Sequence, residues 1–190
     1  MSPTIPLPSE TPNLSSVAAA LNASDHSGRM AWMRSLGRRE LQLMYRLADG
    51  GPSLEASHFS GAPGATVIHH GQNSLMAFNS FQKRVVDNGG ELQGYNHQTM
   101  SWVTGPGHFV LEQDGPEVLF DYTRLPRKAF EGFPPLRNNA HGFSALVYGQ
   151  MVDRVRRVSD HCVIGAAFKK GAAMNAWFML IREGANNNTN

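Results

Sequence analysis

The chain has 190 residues, the length of one ordinary domain and enough to bury a sizeable core without disulfides. Hydrophobic residues make up 41% and charged residues 17%, while 19 glycines and 11 prolines favour a turn-rich β protein over a helical bundle. The single cysteine, Cys162, excludes an internal disulfide and a cysteine-based zinc site, and the formal net charge of +2 does not by itself indicate nucleic-acid binding.

The sequence predicts neither a secretory signal nor a membrane helix. Residues 1–12 hold four prolines and no apolar stretch, and no run reaches the roughly 18 apolar residues that a membrane helix needs. The single cysteine favours a reducing compartment, so we expect a cytoplasmic protein. Residues 1–13 are expected to form a flexible arm.

Helices are predicted next, in a lead-in that spans residues 14–51. They are expected at 14–21, 30–36 and 38–48. The third is the clearest, because Leu41, Met44, Tyr45 and Ala48 fall on one face at helical spacing. It is expected to end at residues 49–52, where glycines supply a left-handed C-cap and a proline forbids continuation.

After residue 52 the pattern changes from helical to extended. Residues 53–59 and 66–70 are predicted to be extended. Residues 73–85 allow two interpretations. Asn73 can cap a short helix that crosses a barrel end, or Met76, Phe78 and Ser80 can share one face of a strand.

Short strands joined by glycine and proline turns are predicted over the rest of the chain. They are expected at 91–97, 99–103, 107–113, 117–123, 144–148, 150–159, 161–169 and 174–182. Residues 124–143 form a long connection with three phenylalanines, which is typical of a segment that packs on the fold as a lid. Residues 184–190 are expected to be a disordered tail.

Eight or nine strands with no crossover helix between them favour antiparallel neighbours and closure. The predicted fold class is therefore mainly β (α+β), an antiparallel, closed or nearly closed β-barrel with an N-terminal helical segment. We expect a single domain over residues 14–183. A barrel of this size has its interior filled by side chains or by one small ligand.

The last third of the sequence resembles a known family. Residues 147–158, with the pattern Asp-x-x-Arg-Arg, then residues 163–166 and 177–182 resemble the closing strands of calycin-like proteins, the small lipocalin-type barrels. The resemblance implies a barrel that binds a small, largely apolar molecule. Some proteins of that general shape are enzymes that isomerise or cyclise such molecules.

Ionisable residues among apolar strand residues are the candidates for a site, because alternate residues of a barrel strand face inward. Neither face of the 150–159 strand is purely apolar, so one face must bring charge toward the interior or the mouth. An inward Asp153 paired with Arg157 can anchor a carboxylate or carbonyl group of a ligand.

Two adjacent histidines supply the second candidate. His69 and His70 point to opposite faces of a strand, so at most one faces inward, and imidazole is the natural acid/base group near neutral pH. The sequence does not show which one does. Because adjacent histidines on a strand are poor joint ligands, we predict no metal site.

The remaining candidates are polar or aromatic residues on the predicted strands and the long connection. The predicted catalytic residues are His70, Asp153, Tyr95 and His69. The predicted ligand-binding residues are His97, Tyr122, Asp121, Tyr148, Arg157, Trp102 and Phe133. Such a polar patch in an apolar cavity is the usual composition of a small-molecule site.

The predicted function is binding of a small apolar or amphipathic organic molecule, with acid/base isomerisation, cyclisation or elimination and no cofactor. We favour an enzyme over the alternative, a non-catalytic carrier, because a carrier needs fewer ionisable residues. A haem-binding barrel with His161 as axial ligand is a further alternative. Nucleic acid is not expected as a partner, since the net charge is small and the basic run 154–157, with Lys169 and Lys170, lacks interleaved aromatic residues. A membrane is not expected either, because no apolar run is long enough to span it. A homodimer is one possible oligomeric state.

Overall fold

A computed structural model describes residues 4–74, 79–97, 105–137 and 148–184. Three helices come first: α1 (Leu14–Ala23), α2 (His26–Ser35) and α3 (Arg38–Leu47). The Asn13 side chain accepts a hydrogen bond from the Ser16 amide, and the Asp25 side chain accepts one from the Gly28 amide. These caps fix the starts of α1 and α2. Helix α2 therefore begins four residues before the predicted position.

Eight strands follow and form one closed antiparallel barrel in sequence order. They are β1 (Val67–Asn73), β2 (Ser80–Asp87), β3 (Leu92–His97), β4 (His108–Asp114), β5 (Glu117–Asp121), β6 (Met151–Arg157), β7 (Cys162–Lys169) and β8 (Ala172–Arg182). Each strand pairs with the next, and β8 returns to pair with β1. The predicted fold class is confirmed.

One predicted segment differs from the structure, and another, for which two interpretations stood, is now decided. Residues 53–59, predicted as extended, contain a 3₁₀ helix at Ala56–Phe59, which brings the Phe59 ring into the barrel core. Residues 80–85, for which a helix was one interpretation, lie in β2 and pair with β1 and β3. Because the backbone N–H and C=O groups of this segment pair with β1 on one side and β3 on the other, the segment is a strand and not a helix. Trp102, the predicted strand 99–103 and residues 185–190 of the predicted tail lie outside the described residues.

The apolar residues form two separate clusters. One lies inside the barrel, and the other lies between the three helices and the outer face of β7 and β8. Trp32, Leu41 and Met44 of the helices meet Ile164 and Met179 of the strands in this outer cluster. As a result residues 162–167 of β7 and 177–181 of β8 are buried on both faces, which explains why these stretches are continuously apolar.

The segment before α1 and the only cysteine both belong to the outer cluster. Ile5 and Leu7 pack against it, and the Trp32 indole donates a hydrogen bond of 3.2 Å to the Pro6 carbonyl. Cys162 is fully buried there, and burial raises the pKa of its thiol to about 12. Cys162 is thus a small apolar core residue rather than a reactive thiol. Among the described residues, no helix is both long and apolar enough to cross a bilayer.

The two ends of the barrel are built differently. At one end, called the closed end, the 3₁₀ helix Ala56–Phe59 is held by Gln113, whose side chain accepts from the Ala56 amide at 2.9 Å and donates to the Leu54 carbonyl at 2.8 Å. Arg182 donates there to the His58 and Ser60 carbonyls, each at 2.8 Å. The connections β1–β2, β3–β4 and β5–β6 leave from the opposite end, and each includes residues outside the described ranges.

Candidate functional site

Strand alternation places four polar side chains together inside the barrel. Lys83 of β2 pairs across the sheet with Asn96 of β3, and Asp153 of β6 pairs with Phe120 of β5, an interior residue. Tyr122 follows β5 and points the same way as Phe120, because the two are separated by one residue. We call Lys83, Asn96, Tyr122 and Asp153 the polar cluster.

The four side chains of the polar cluster are joined by hydrogen bonds. The Lys83 ammonium lies 3.3 Å from Asp153 Oδ2 and 3.1 Å from Asn96 Oδ1, and it also donates to the Tyr122 hydroxyl. The Tyr122 hydroxyl lies 3.3 Å from Asp153 Oδ2 and accepts from Asn96 Nδ2 at 3.1 Å. Lys83 is only 2% exposed and Asp153 only 3%. The cluster is therefore an ion pair and two polar partners removed from solvent.

Aromatic rings surround the charged end of Lys83. Its Nζ lies between 4.7 and 5.7 Å from five ring centroids, those of Phe81, Phe109, Phe120, Tyr122 and Phe178. The negative faces of aromatic rings attract a cation at such distances, and more strongly where water is excluded. The interior thus stabilises a positive charge at this point from several directions.

Three of these rings fit because glycines stand opposite them in neighbouring strands. The pairs are Gly71 with Phe81, Gly94 with Phe109 and Gly165 with Phe178. A Cβ built on Gly71, Gly94 or Gly165 would lie 2.5, 2.7 or 2.2 Å from the partner ring. Real Cβ atoms do not approach that closely, so these glycines set the position of the rings around Lys83.

Burial and charge act in opposite directions on the polar cluster. Burial lowers the pKa of Lys83, and the Asp153 carboxylate opposes that shift. Burial raises the pKa of Asp153, against the effect of Lys83. Burial, followed by the Asp153 charge, raises the pKa of Tyr122 well above its ordinary value. Because burial brings the pKa values of Lys83 and Asp153 closer together, a proton moves between them more easily than between the same groups in water.

A histidine lies in the barrel interior on the closed-end side. His69 is fully buried, and its ring centroid is 5.1 Å from that of Phe59 and 6.1 Å from that of His58. Neither of its ring nitrogens has a hydrogen-bond partner among the described residues. Burial, reinforced by His58, lowers its pKa well below the ordinary value, so His69 is neutral at physiological pH.

The structure brings four of the predicted site residues to the interior: His69, Asp153, Tyr122 and Tyr148. Tyr148 stacks on Tyr122 with 5.3 Å between ring centroids and 14° between planes. Asp153 is paired with Lys83, and Arg157 is paired with Asp160 at 2.7 Å instead. The predicted pairing of Asp153 with Arg157 is therefore wrong, because Arg157 lies at the strand end and is partly exposed.

Other predicted site residues lie on the outer face of the barrel wall. His70 lies beside Glu183 and His26, with 3.8 Å between His70 Nε2 and Glu183 Oε1. Tyr95 is covered from outside by Phe133, with 4.7 Å between ring centroids. Their predicted roles stay predictions, but these side chains do not reach the polar cluster.

The last three candidates also lie away from the interior. Asp121 accepts hydrogen bonds from the amide and hydroxyl of Thr123, on the outer face of the wall. His97 is exposed at the end of β3. His161, the candidate haem ligand, lies in the turn before β7 and is partly exposed. Across the described ranges, no group of three histidine, cysteine or acidic residues is placed to hold a metal ion.

The sequence analysis missed Lys83 and Asn96. The signal for Lys83 was present, since Phe81, Lys83 and Val85 alternate as one face of a strand, but the helical interpretation of this segment obscured it. In β3 the predicted inward face carried Tyr95 and His97, whereas the opposite face, with Gly94 and Asn96, is the inward one.

No protein-family model, no curated protein and no solved structure matches this chain. The established result is the eight-stranded antiparallel barrel with an N-terminal helical segment. What the protein does has to be argued from the side chains inside that barrel.

Proposed function

We propose that the barrel binds a small apolar or amphipathic organic molecule beside the polar cluster and catalyses acid/base isomerisation, cyclisation or elimination. The observation that carries this proposal is the Lys83–Asp153 ion pair, buried within the aromatic interior and joined to Tyr122. A buried ion pair contributes little net stability, since well-packed apolar residues of similar volume are often as stable or more so. Perturbed, coupled titratable groups of this kind are typical of functional sites.

The chemistry follows from the protonation states that the cluster allows. Asp153, with its raised pKa, is a stronger base than an exposed carboxylate and can take a proton from an acidic C–H bond of the ligand. Lys83 and Tyr122 can donate hydrogen bonds to an oxygen on which negative charge develops. Return of the proton to another carbon completes an isomerisation, and loss of a leaving group completes an elimination.

The architecture supports a ligand of this chemical class. The lining of the interior is mostly apolar and includes several aromatic rings, with a few polar groups at one level, as in other small-molecule sites. The resemblance to calycin-like barrels, which the closed eight-stranded architecture accommodates, implies the same class of ligand.

The test is native mass spectrometry of the purified protein, to find a co-purifying apolar compound. That compound is then incubated with the protein in deuterated water, and carbon-bound deuterium is measured. We expect wild-type protein to introduce deuterium, and Asp153→Asn to be about 100-fold slower or worse, as removal of a general base requires. Asp121→Asn is the matched control, because its carboxylate lies on the outer face.

Three outcomes are informative. Equal rates in Asp153→Asn and wild type would overturn the role of the polar cluster. Binding without deuterium incorporation would identify the protein as a carrier, the alternative that an aromatic interior also suits. A loss of activity in His70→Ala but not in Asp153→Asn would locate the chemistry on the outer face of β1, beside Glu183.

A further inference from the structure

Lys83 is the most deeply buried of the lysines of this protein. The chain has four lysines, and all lie within the described residues. Lys128 and Lys170 are exposed and Lys169 is half-buried, whereas Lys83 is 2% exposed and faces the interior. A lysine in such a place is suited to chemistry that exposed lysines perform poorly, because its amine is partly desolvated.

We propose that Lys83 forms a covalent imine with an aldehyde or ketone group of the ligand. This inference rests on the proposed function, since it requires a small apolar molecule inside the barrel. It adds the chemical class of that molecule, a carbonyl compound, and makes Lys83 a nucleophile rather than an electrostatic partner.

The polar cluster contains the groups that imine formation needs. Asp153 Oδ2, 3.3 Å from Lys83 Nζ, first takes a proton from the ammonium and leaves a neutral amine. The nitrogen lone pair attacks the carbonyl carbon, a C–N bond forms, and the carbonyl oxygen receives the proton from Asp153 or through the Tyr122 hydroxyl. The nitrogen of this adduct then gives a second proton to Asp153, which passes it to the hydroxyl group, so that water leaves as the C=N bond forms and the third ammonium proton stays on the imine nitrogen. Amine and carbonyl are thus converted to imine and water, with no redox partner.

The surroundings of Lys83 also fit the product. A protonated imine carries its positive charge where the ammonium stood, within 4.7 to 5.7 Å of five ring centroids. Asp153 remains as its counter-ion. The aromatic rings therefore stabilise the charge before and after the reaction. Burial also lowers the pKa of Lys83, which increases the share of neutral, nucleophilic amine.

The experiment uses the full chain, the straight-chain aldehyde decanal and sodium cyanoborohydride, which reduces imines to stable amines. Intact mass and peptide mapping then locate the adduct, whose mass is that of the aldehyde less one oxygen atom. We expect Lys83 to be modified at least about tenfold faster than Lys128, Lys169 or Lys170, in keeping with an activated amine. Tyr122→Phe and Asp153→Asn are expected to slow the reaction at Lys83 while leaving that at Lys128 unchanged.

Lys83→Arg keeps a cation for Asp153 but cannot form the imine, and Lys128→Arg is the matched exposed control. Loss of the rapid adduct in Lys83→Arg alone supports the inference, provided its circular dichroism matches wild type. Because the wild-type trapping result stands without any variant, a misfolded variant does not remove the test.

The saturated alcohol decanol separates the two proposals, because it has the same chain and no carbonyl group. Displacement of bound anilinonaphthalene sulfonate by decanol, with decanal adducts only on the exposed lysines, overturns the imine and leaves the proposed function intact. Failure of both compounds to bind, with no rapid adduct at Lys83, counts against both proposals.

Discussion

Lys83 and Asp153 depend on each other for their charges. Each is almost fully buried, and the Nζ–Oδ2 distance of 3.3 Å is their closest charge contact. If either partner is removed, the other remains a charge in an interior that cannot solvate it. Asn96 and the aromatic rings offset part of that cost for Lys83, but Asp153 has no second cation among its described contacts.

This dependence predicts strong coupling between the two positions. We expect Asp153→Asn to lower the free energy of unfolding by about 3–5 kcal/mol, because it leaves a buried ammonium without its counter-ion. The double variant Lys83→Met/Asp153→Asn is expected to recover most of that loss. Urea unfolding of wild type, both single variants and the double variant measures the coupling. Additive losses would contradict the description of the pair as mutually dependent.

At this scale, part of the site could be predicted from the sequence. Asp153 and Tyr122 were recognised because charged or phenolic groups interrupt apolar strands, and both are inside. Which face of β3 points into the barrel could not be predicted, since both of its faces carry polar residues. A shift of one residue exchanges the faces, which is why Tyr95 was chosen in place of Asn96.

The strands themselves depend on close cross-strand contacts between glycine and phenylalanine. Gly71 of β1 faces the Phe81 ring of β2, and the three atoms nearest to a Cβ on Gly71 all belong to that ring. Glycine ordinarily weakens a strand, because it has no side chain to pack. Here the ring from the neighbouring strand occupies the space that the missing side chain leaves.

We therefore expect Gly71→Ala to lower the free energy of unfolding by about 1–3 kcal/mol, the usual cost of overpacking. Adding Phe81→Leu is expected to restore part of the loss, because it removes the ring that a Cβ would strike. Gly184→Ala is the control, since no heavy atom lies within 4 Å of its added Cβ. Thermal and urea unfolding measure all four proteins. No recovery in the double variant would show that the cost arises elsewhere.

Elements were predicted well where the spacing of apolar residues matched only a helix or only a strand. They were predicted poorly where the same spacing matched both. Helix α3 and strands β6 to β8 lie within one or two residues of their predicted bounds. Strand β2 was ambiguous because Phe81 and Val85 are also four residues apart, as on a helix. The Ala56–Phe59 turn could not be predicted, because its conformation depends on Gln113 and Arg182, which are distant in sequence.

The whole molecule is a barrel with one end closed by a histidine-containing segment. His69 is fully buried there and His58 is half-buried, and desolvation lowers the pKa of His58 from its ordinary 6.5 to about 4. In the unfolded chain both rings take up protons below about pH 6.5. In the folded protein they do not take up protons over this range. The stability that these two neutral histidines allow is therefore fully present above pH 6.5 and is lost as the pH falls toward 4, because protons bind the unfolded chain more tightly.

We expect the free energy of unfolding to fall over that interval by roughly 1.4 kcal/mol per pH unit for each such histidine. His58→Gln removes one titrating group, so its stability should depend less on pH than that of wild type. Urea unfolding at several values between pH 7 and pH 4.5 gives the two slopes. Identical slopes would contradict the conclusion that desolvation keeps His58 neutral in the folded protein.

The glycine–phenylalanine pairs also constrain how this fold can diverge. A descendant sequence cannot gain a side chain at Gly71 or Gly165 while it keeps Phe81 or Phe178, since atom and ring would occupy the same space. In any future alignment of relatives, each of these two pairs should be inherited as a unit or replaced as a unit, whereas Gly94 should stay glycine because an added Cβ would also strike the Arg84 backbone carbonyl. Such paired replacement, at facing positions of neighbouring strands, would serve as a fingerprint by which other members of this lineage are recognised.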